Sequence, residues 1–441
     1  MDATSRGSQP PFRGSTGIKR LAAREILDSR GYPTIEVTIT AGGHSAVASV
    51  PSGKSTGRFE ALERRDKDSH RFNGKGVLDA VGAVNTEIAG ALLGQPVPDR
   101  ETLDRRLCDL DGTPNKSRLG ANAILGVSLA GARLRSLIEK RPLFESLGGS
   151  HARLLPVPCF NVVNGGAHAP NELDFQEFMI VPAGFSTYSD ALRAGAETYH
   201  VLARLLDEAG LSTAVGDEGG FAPALTHPTE ALDWIVRAIE AARYRPGDEM
   251  FIALDPAASA FFWDGRYRFA QHAYTAAEMS DLYGSWLGHY PILSIEDGLA
   301  EDDVAGWKEM TTVLGDRVQL VGDDIFVSDA TRIQWAVDER IANAVLLKPN
   351  QVGTVSEIFD TARIAKDAGY HLMMSHRSGE TDDSFIADLA VALGTGQIKA
   401  GAPARGERLA KYNQLLRIED ELGQHAEFAG LRAFRRQDKQ L

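Results

Sequence analysis

The run Ile292-Leu293-Ser294-Ile295, which ends in Glu296, shows the pattern that decides the fold. Five more short apolar runs after residue 250 also end in a charged or titratable residue. In chain order, the six end residues are Asp255, Glu296, Asp323, Lys348, His376 and Lys399. They are about 23 to 41 residues apart, the length of a strand, a helix and two loops. We therefore predict repeated βα units whose buried strands form a (β/α) barrel.

The six end residues also predict where the site lies, because active sites of such barrels form at the carboxyl ends of the strands. A single polar end residue is explained more simply by the chain reaching the surface. Six in succession, all able to bind metal or move protons, favour a functional site. Asp255, Glu296 and Asp323 offer only oxygen ligands, which suits Mg²⁺ better than zinc. Lys348 and Lys399 are either ion-pair partners or, with a lowered pKa, candidate bases.

The region before the barrel, residues 18–150, is predicted to be a smaller α+β domain. Residues 34–40 and 44–50 alternate apolar and polar side chains around Gly42-Gly43, which predicts an antiparallel hairpin. Residues 119–137 are rich in Ala and Leu and predict a helix. A second helical stripe is formed by Val77, Val81, Val84, Ile88 and Leu92. Residues 151–441 are assigned to the barrel and residues 1–17 to a disordered tail.

Composition excludes several functional classes. The 441 residues carry a net charge of −13, which argues against a nucleic-acid partner and gives no attraction to anionic membranes. Prolines and glycines interrupt the longest uncharged stretch, residues 154–171, so no membrane span is predicted. Cys108 and Cys159 are too few for a disulfide framework or a four-thiolate zinc site. We expect a cytoplasmic protein in a reducing compartment.

Four further segments carry residues suited to chemistry. They are Ser52-Gly53-Lys54-Ser55-Thr56-Gly57, Gln176-Glu177, Gly216-Asp217-Glu218-Gly219-Gly220 and His376-Arg377-Ser378. The first is equally explained as a mobile loop and the third as a tight turn, unless the turn presents a carboxyl group to a pocket. Glu177 lies in an apolar run, where a buried acid needs a partner. The guanidinium of Arg377 and the hydroxyl of Ser378 suit a phosphate.

Nine motifs, in order, resemble the enolase family from about Ile18 to the C-terminal region. They are EILDSRG (25–31), STG (55–57), LGANAILGVSLA (119–130), NGGAHA (164–169), QEFMI (176–180), GDEGGFAP (216–223), SIEDGLAEDD (294–303), SHRSGET (375–381) and GAPARGERLAKYNQLLRIE (401–419). The resemblance implies an α+β domain followed by an eight-stranded (β/α) barrel that begins ββαα. It also implies a homodimer or higher homo-oligomer that uses two Mg²⁺ per active site to remove water from a small phosphorylated hydroxy acid.

The resemblance further implies a role for each matching residue. Asp255, Glu296 and Asp323 resemble the ligands of one Mg²⁺, and Ser55 resembles the loop serine that binds a second. Lys348 matches the base that takes the α-proton, and a protonated Glu218, assisted by Glu177, matches the acid that helps hydroxide leave. The other matches are His376 among the catalytic residues, Lys399 to the substrate carboxylate, Arg377 and Ser378 to the phosphate, and His168 and Gln176 among the substrate-binding residues.

Four residues depart from the family pattern, namely Tyr32, Lys54, Ala224 and Ala260. Lys54 replaces the usual alanine beside Ser55. It is either a solvated lysine or a substrate-binding cation for a second anionic group. The family substrate is 2-phospho-D-glycerate, converted to phosphoenolpyruvate in glycolysis. An added anionic group would instead fit the phosphonate 2-phosphonoformylglycerate, converted to carboxyphosphonoenolpyruvate in phosphonate antibiotic biosynthesis.

Two other functional classes fit the sequence less well. A non-catalytic binding protein on an enolase fold has no physical need to keep the charged residues of the site. An acid-sugar dehydratase would leave Arg377 and Ser378 without a phosphate to bind. The reaction type therefore stays the main expectation, with the phosphorylated and the phosphonate substrates both open.

Overall fold

The structure, a computed structural model, describes residues 17–54 and 57–434. Residues 1–16 of the predicted tail and the predicted metal ligand Ser55 lie outside the described residues. Gly17 pairs with Pro96 in an isolated antiparallel bridge.

The amino-terminal region is an antiparallel three-stranded sheet packed against helices. Its elements are β1 (Arg20–Leu27), β2 (Pro33–Ala41), β3 (His44–Ser49), α1 (Leu78–Ala83), α2 (Ala89–Leu92), α3 (Arg100–Asp111), α4 (Ala121–Glu139) and α5 (Leu143–Gly148). Strand β2 lies between β1 and β3. Helix α4 packs on β2 and β3, and Gly126 allows the close approach, because a Cβ there would lie 2.6 Å from Cγ2 of Val37.

The predicted hairpin is confirmed as β2 and β3. Gly42 and Gly43 join the two strands with φ of 62° and 79°, left-handed values that glycine adopts at little cost. Strand β1 was not predicted. Only Leu21 of this edge strand is buried, so its sequence lacks the alternation that marks a half-buried strand.

The carboxy-terminal region is a closed barrel of eight strands. The strands of this region are β4 (Leu154–Leu155), β5 (Val157–Asn164), β6 (Glu177–Val181), β7 (Phe251–Asp255), β8 (Phe262–Trp263), β9 (Arg266–Phe269), β10 (His272–Tyr274), β11 (Ile292–Glu296), β12 (Gln319–Gly322), β13 (Ala344–Leu347), β14 (His371–Ser375), β15 (Gly396–Lys399) and β16 (Glu427–Phe428). The barrel order is β5-β6-β7-β11-β12-β13-β14-β15, and β15 pairs back to β5. Strand β6 runs antiparallel to both neighbours, and the other pairs are parallel.

Helices cover the outside of the barrel. They are α6 (Tyr188–Glu208), α7 (Pro228–Ala241), α8 (Ala276–Trp286), α9 (Val304–Leu314), α10 (Ala330–Glu339), α12 (Val355–Asp367), α13 (Phe385–Leu393) and α14 (Gly406–Leu422), while the short helix α11 (Pro349–Val352) follows Lys348 at the carboxyl end of β13. The order β5-β6-α6-α7 is the ββαα start that the resemblance implied. Since the six apolar runs are the last six barrel strands, the predicted α/β fold class is confirmed.

Two exclusions made from the sequence can be compared with the described residues. None of their helices combines the length and the low charge needed to cross a bilayer. Cys108 and Cys159 are both free thiols.

The amino-terminal region reaches the mouth of the barrel through the segment after β3. Ser52 and Gly379 exchange two backbone hydrogen bonds of 2.8 and 2.9 Å. Arg30 Nη2 also donates to the carbonyl of Ser52 at 3.1 Å. These contacts hold residues 52–54 over the carboxyl ends of the strands.

Candidate active site

A buried polar pocket lies at the carboxyl ends of the barrel strands. Of the predicted site residues within 17–54 and 57–434, all except Glu296 line it. Glu177 is the first residue of β6, and it reaches this end because β6 runs antiparallel and pairs it with Asp255. Local topology therefore brings residues from the start of β6 and from the ends of the other strands into one site.

Lys399 is the central cation of the pocket. Its Nζ lies 2.9 Å from Asp255 Oδ2, 2.9 Å from Glu296 Oε1 and 3.2 Å from Glu177 Oε1. Burial lowers the pKa of Lys399, but the surrounding carboxylates outweigh burial and hold that pKa well above its ordinary value. Lys399 is therefore a fixed positive charge rather than a base.

Lys348 is paired with Asp323, whose Oδ2 accepts a hydrogen bond from Nζ. The other oxygen of Asp323 accepts a hydrogen bond of 3.0 Å from Gln351 Nε2. Ser328 Oγ donates to Gln351 and accepts from the amide of Lys348, which ties both partners to one network. Burial lowers the pKa of Lys348, but Asp323 more than offsets it and the pKa is raised. The contact corresponds to the ion-pair alternative that the sequence left open for this lysine.

Negative charge exceeds positive charge on one side of the pocket. The side chain of Asp297 accepts the amide hydrogens of Asp323 and Asp324 at 2.9 and 3.0 Å. Burial and neighbouring carboxylates raise the pKa of Glu296 and Asp297 well above the ordinary range, and that of Asp324 to about 7. Buried carboxyl groups with raised pKa values form a donor set that a hard divalent cation would stabilise, so the residues present fit Mg²⁺.

The three predicted metal ligands have different neighbours in the structure. Asp297, Asp323 and Asp324 offer ligand atoms within 4.8 Å of one another. Oδ2 of Asp255 and both carboxylate oxygens of Glu296 accept hydrogen bonds from Nζ of Lys399. A second group at the same spacing consists of His168, Glu177 and Glu218.

Glu177 and Glu218 share the pocket with two histidines. His168 Nδ1 lies 3.7 Å from an oxygen of each acid, and His376 Nε2 lies 3.2 Å from Glu218 Oε2. Burial and the charge of Glu218 raise the pKa of Glu177 well above its ordinary value. Burial also acts to raise the pKa of Glu218, but the two histidines and Arg408 hold it well below the ordinary range. The two acids therefore differ in the direction of their pKa shift, raised for Glu177 and lowered for Glu218, and only Glu218 has His376 beside it, at 3.2 Å.

The predicted phosphate-binding groups lie beside Lys54 and Glu60. Arg377 Nη1 contacts Glu60 Oε2 and Asn350 Oδ1, both at 3.0 Å. Ser378 Oγ accepts a hydrogen bond of 2.8 Å from the amide of Lys54. Lys54 Nζ lies 2.9 Å from Asp217 Oδ2, so this lysine bridges the pocket mouth.

Two family models match the chain, one over each of the two regions described above. Residues 18–147 match the family described as "Enolase, N-terminal domain", and residues 152–437 match "Enolase, C-terminal TIM barrel domain". The chain belongs to the enolase family. It is therefore an enzyme of the hydro-lyase class, as the resemblance implied.

Relatives match nearly the whole of this enolase-family chain. The protein named Enolase from Acidothermus cellulolyticus is 55% identical over 420 residues, which cover 95% of this chain and 98% of the relative. Enolase 2 from Pseudomonas syringae pv. syringae is 55% identical over 423 residues, with 95% and 99% covered. Enolase from Rubrobacter xylanophilus is 54% identical over 422 residues, with 95% and 98% covered.

Several residues that line or support this enolase-family site were not predicted from the sequence. Asp297 and Asp324 directly follow predicted ligands, so their acidic type and position were signals that could have been used. Glu60 and Gln351 lie near predicted residues but carry no distinguishing pattern. Arg408 comes from α14, and only the fold brings it to His376.

Proposed function

We propose that this protein removes water from 2-phospho-D-glycerate to give phosphoenolpyruvate in an Mg²⁺-dependent reaction. The observation that carries the proposal is the presence of Lys348, Lys399 and the pair Glu177 and Glu218 in one buried pocket. A base, a fixed cation and a shared acid are the groups needed to remove an α-proton and a β-hydroxide. The names of the relatives support the same reaction.

Lys348 is assigned as the base that removes the α-proton of the substrate. Loss of a proton next to a carboxylate makes a dianion, which needs positive charge where the charge develops. Lys399 supplies one such charge and keeps it because its carboxylate neighbours raise its pKa. Mg²⁺, held by Asp255, Glu296 and Asp323 with Ser55 at a second ion, would supply the rest. Lys348 becomes a usable base only when its contact with Asp323 is weakened.

Hydroxide departure is assigned to the carboxyl pair. Glu177 holds the proton because its pKa is raised, and Glu218 is the carboxylate beside it. The proton passes from Glu177 through the shared site as the C–O bond breaks and the hydroxyl leaves as water. Arg377 and Ser378 bind the phosphate, which requires Arg377 to exchange its contact with Glu60 for the substrate.

A direct assay tests the proposal. The purified protein with Mg²⁺ and 2-phospho-D-glycerate should produce an increase in the ultraviolet absorbance of an enol phosphate, and chelation of the metal should stop it. The Lys348→Ala variant is the matched control. Lack of turnover by the folded, Mg²⁺-supplied protein would refute the proposal.

The phosphonate substrate is a second candidate because Lys54 lines the pocket where the family has alanine. Lys54 is bound to Asp217, and its side chain is 44% exposed, so an added carboxylate of a ligand would compete with Asp217 for it. Assay of 2-phosphonoformylglycerate beside 2-phospho-D-glycerate separates the two. Turnover of neither compound would favour the non-catalytic role.

The homodimer also stays a proposal. Light scattering on the purified full-length chain tests it directly. A mass close to twice 47.6 kDa is expected, and a mass of 47.6 kDa would contradict it.

A further inference from the structure

The buried guanidinium of Arg408 contacts the ring nitrogen of His376 that faces away from Glu218. His376 follows β14 directly and is buried. Its Nδ1 lies 2.6 Å from Nη1 of Arg408, which comes from the first turn of α14 and has no exposed surface. A guanidinium group only donates hydrogen bonds and stays charged in proteins. Nδ1 must therefore be the acceptor in this contact, and an acceptor nitrogen carries no proton.

Other contacts fix the guanidinium of Arg408 in place. Nη1 also donates to the carbonyl of Arg377 at 2.7 Å. Nη2 donates to the carbonyls of Ser378 at 2.7 Å and Asp217 at 3.0 Å. These backbone acceptors belong to the two segments that flank the pocket, so Arg408 cannot turn away from His376 without losing three further hydrogen bonds.

The second ring nitrogen of His376 is left facing the pocket. Nε2 lies 3.2 Å from Glu218 Oε2, but it makes no contact of hydrogen-bond geometry within residues 17–54 and 57–434. It is thus a buried polar atom directed at an acid and at the space that a ligand would fill. Burial, with the nearby guanidinium, lowers the pKa of His376 to about 4 despite Glu218, so the ring is neutral near pH 7.

We infer that Arg408 is a positioning residue that fixes His376 as the neutral tautomer with its proton on Nε2. Nε2 of His376 therefore presents an N–H donor to the pocket, toward Glu218 or a substrate oxygen. Nε2 could accept a proton only if the ring proton moved to Nδ1, and Nδ1 would then lose its hydrogen bond from Arg408. The catalytic consequence rests on the proposed function, but the tautomer itself is a property of the protein without substrate.

Nitrogen NMR of the full chain labelled with ¹⁵N-histidine tests the tautomer without any assay of activity. The His376 signals are assigned as those lost in His376→Gln. The expected pattern near pH 7 is that of a neutral ring protonated on Nε2. A ring protonated on Nδ1, or on both nitrogens, would overturn the inference, and neither result would bear on turnover of 2-phospho-D-glycerate.

Arg408→Met tests whether Arg408 causes the preference. The His376 signals of the folded variant should shift toward a mixture of tautomers, and kcat should fall roughly 10- to 100-fold, the size of effect seen for residues that orient a metal-bound histidine. Arg363→Met is the control, since Arg363 is an exposed arginine on α12. A folded Arg408→Met protein that keeps a pure Nε2-protonated His376 would overturn the role of Arg408. If the variant does not fold, the spectrum of the unmutated chain still decides the tautomer.

Discussion

Replacing Lys399 with methionine should destabilise the protein and make its stability depend more strongly on Mg²⁺. Lys399 is 3% exposed, and its Nζ lies within 3.2 Å of Asp255, Glu296 and Glu177. Methionine fills a similar volume, so the main change is loss of the cation. Removing one partner from a buried ion pair costs about 3–5 kcal/mol, because the remaining charge is left uncompensated. We expect a loss of this size in the free energy of unfolding without metal.

Mg²⁺ should restore part of that loss. A ligand that binds only the folded state stabilises it by about 2.7 kcal/mol at a concentration 100 times its Kd. The acids freed by Lys399→Met should bind the ion more tightly than in the unmutated protein, so the gain should be larger in the variant. Urea unfolding with and without Mg²⁺ measures both values, and no turnover is needed.

Lys411→Met is the matched control. Lys411 is 1% exposed and its Nζ lies 2.7 Å from Glu380, so it is also a buried lysine with an acidic partner. Glu380 is not a proposed metal ligand. Lys411→Met should lose stability but gain no more from Mg²⁺ than the unmutated protein. Equal Mg²⁺ gains in the two variants, or no loss in Lys399→Met, would refute the reasoning.

Two further predictions concern the pocket mouth and a buried acid. Lys54→Ala removes an exposed ion pair worth at most about 1 kcal/mol, so kcat/KM for 2-phospho-D-glycerate should change less than about fivefold. A much larger loss of kcat/KM for 2-phosphonoformylglycerate would support the second substrate, and brisk, unaltered turnover of 2-phospho-D-glycerate alone would dismiss it. Burial raises the pKa of Asp388 from 3.8 to about 6, so its favourable contribution is complete below about pH 4 and is lost as pH rises through 6. Asp388→Asn should therefore stabilise the protein by about 3 kcal/mol at pH 7 and by little at pH 4, and urea unfolding that shows an equal gain at both values would contradict this.

The sequence was most informative where a titratable residue marks the carboxyl end of a barrel strand. Each of the last six barrel strands is an apolar run followed by a titratable residue, and parallel strands bring those residues to one end. Strands β5 and β6 lack this signal because they form an antiparallel pair, so Glu177 reaches the site from the start of its strand. The ββαα start was available only through the resemblance.

Pairing within the site could not be predicted in the same way. The pattern shows that Lys348, Lys399 and the acids share one end of the barrel, but it does not show which oxygen meets which ammonium. That choice decides the direction of the pKa of Lys348, which Asp323 raises. It also decides which acid of the pair Glu177 and Glu218 holds the proton, since histidine contacts favour the charge on Glu218.

Exchange of the α-hydrogen of 2-phospho-D-glycerate with deuterated water, followed by NMR in Lys348→Ala, tests the central claim most directly. The unmutated protein with Mg²⁺ should exchange this hydrogen, and the folded variant should show no exchange above the rate without protein. Exchange that persists in the variant would remove Lys348 from the role of base.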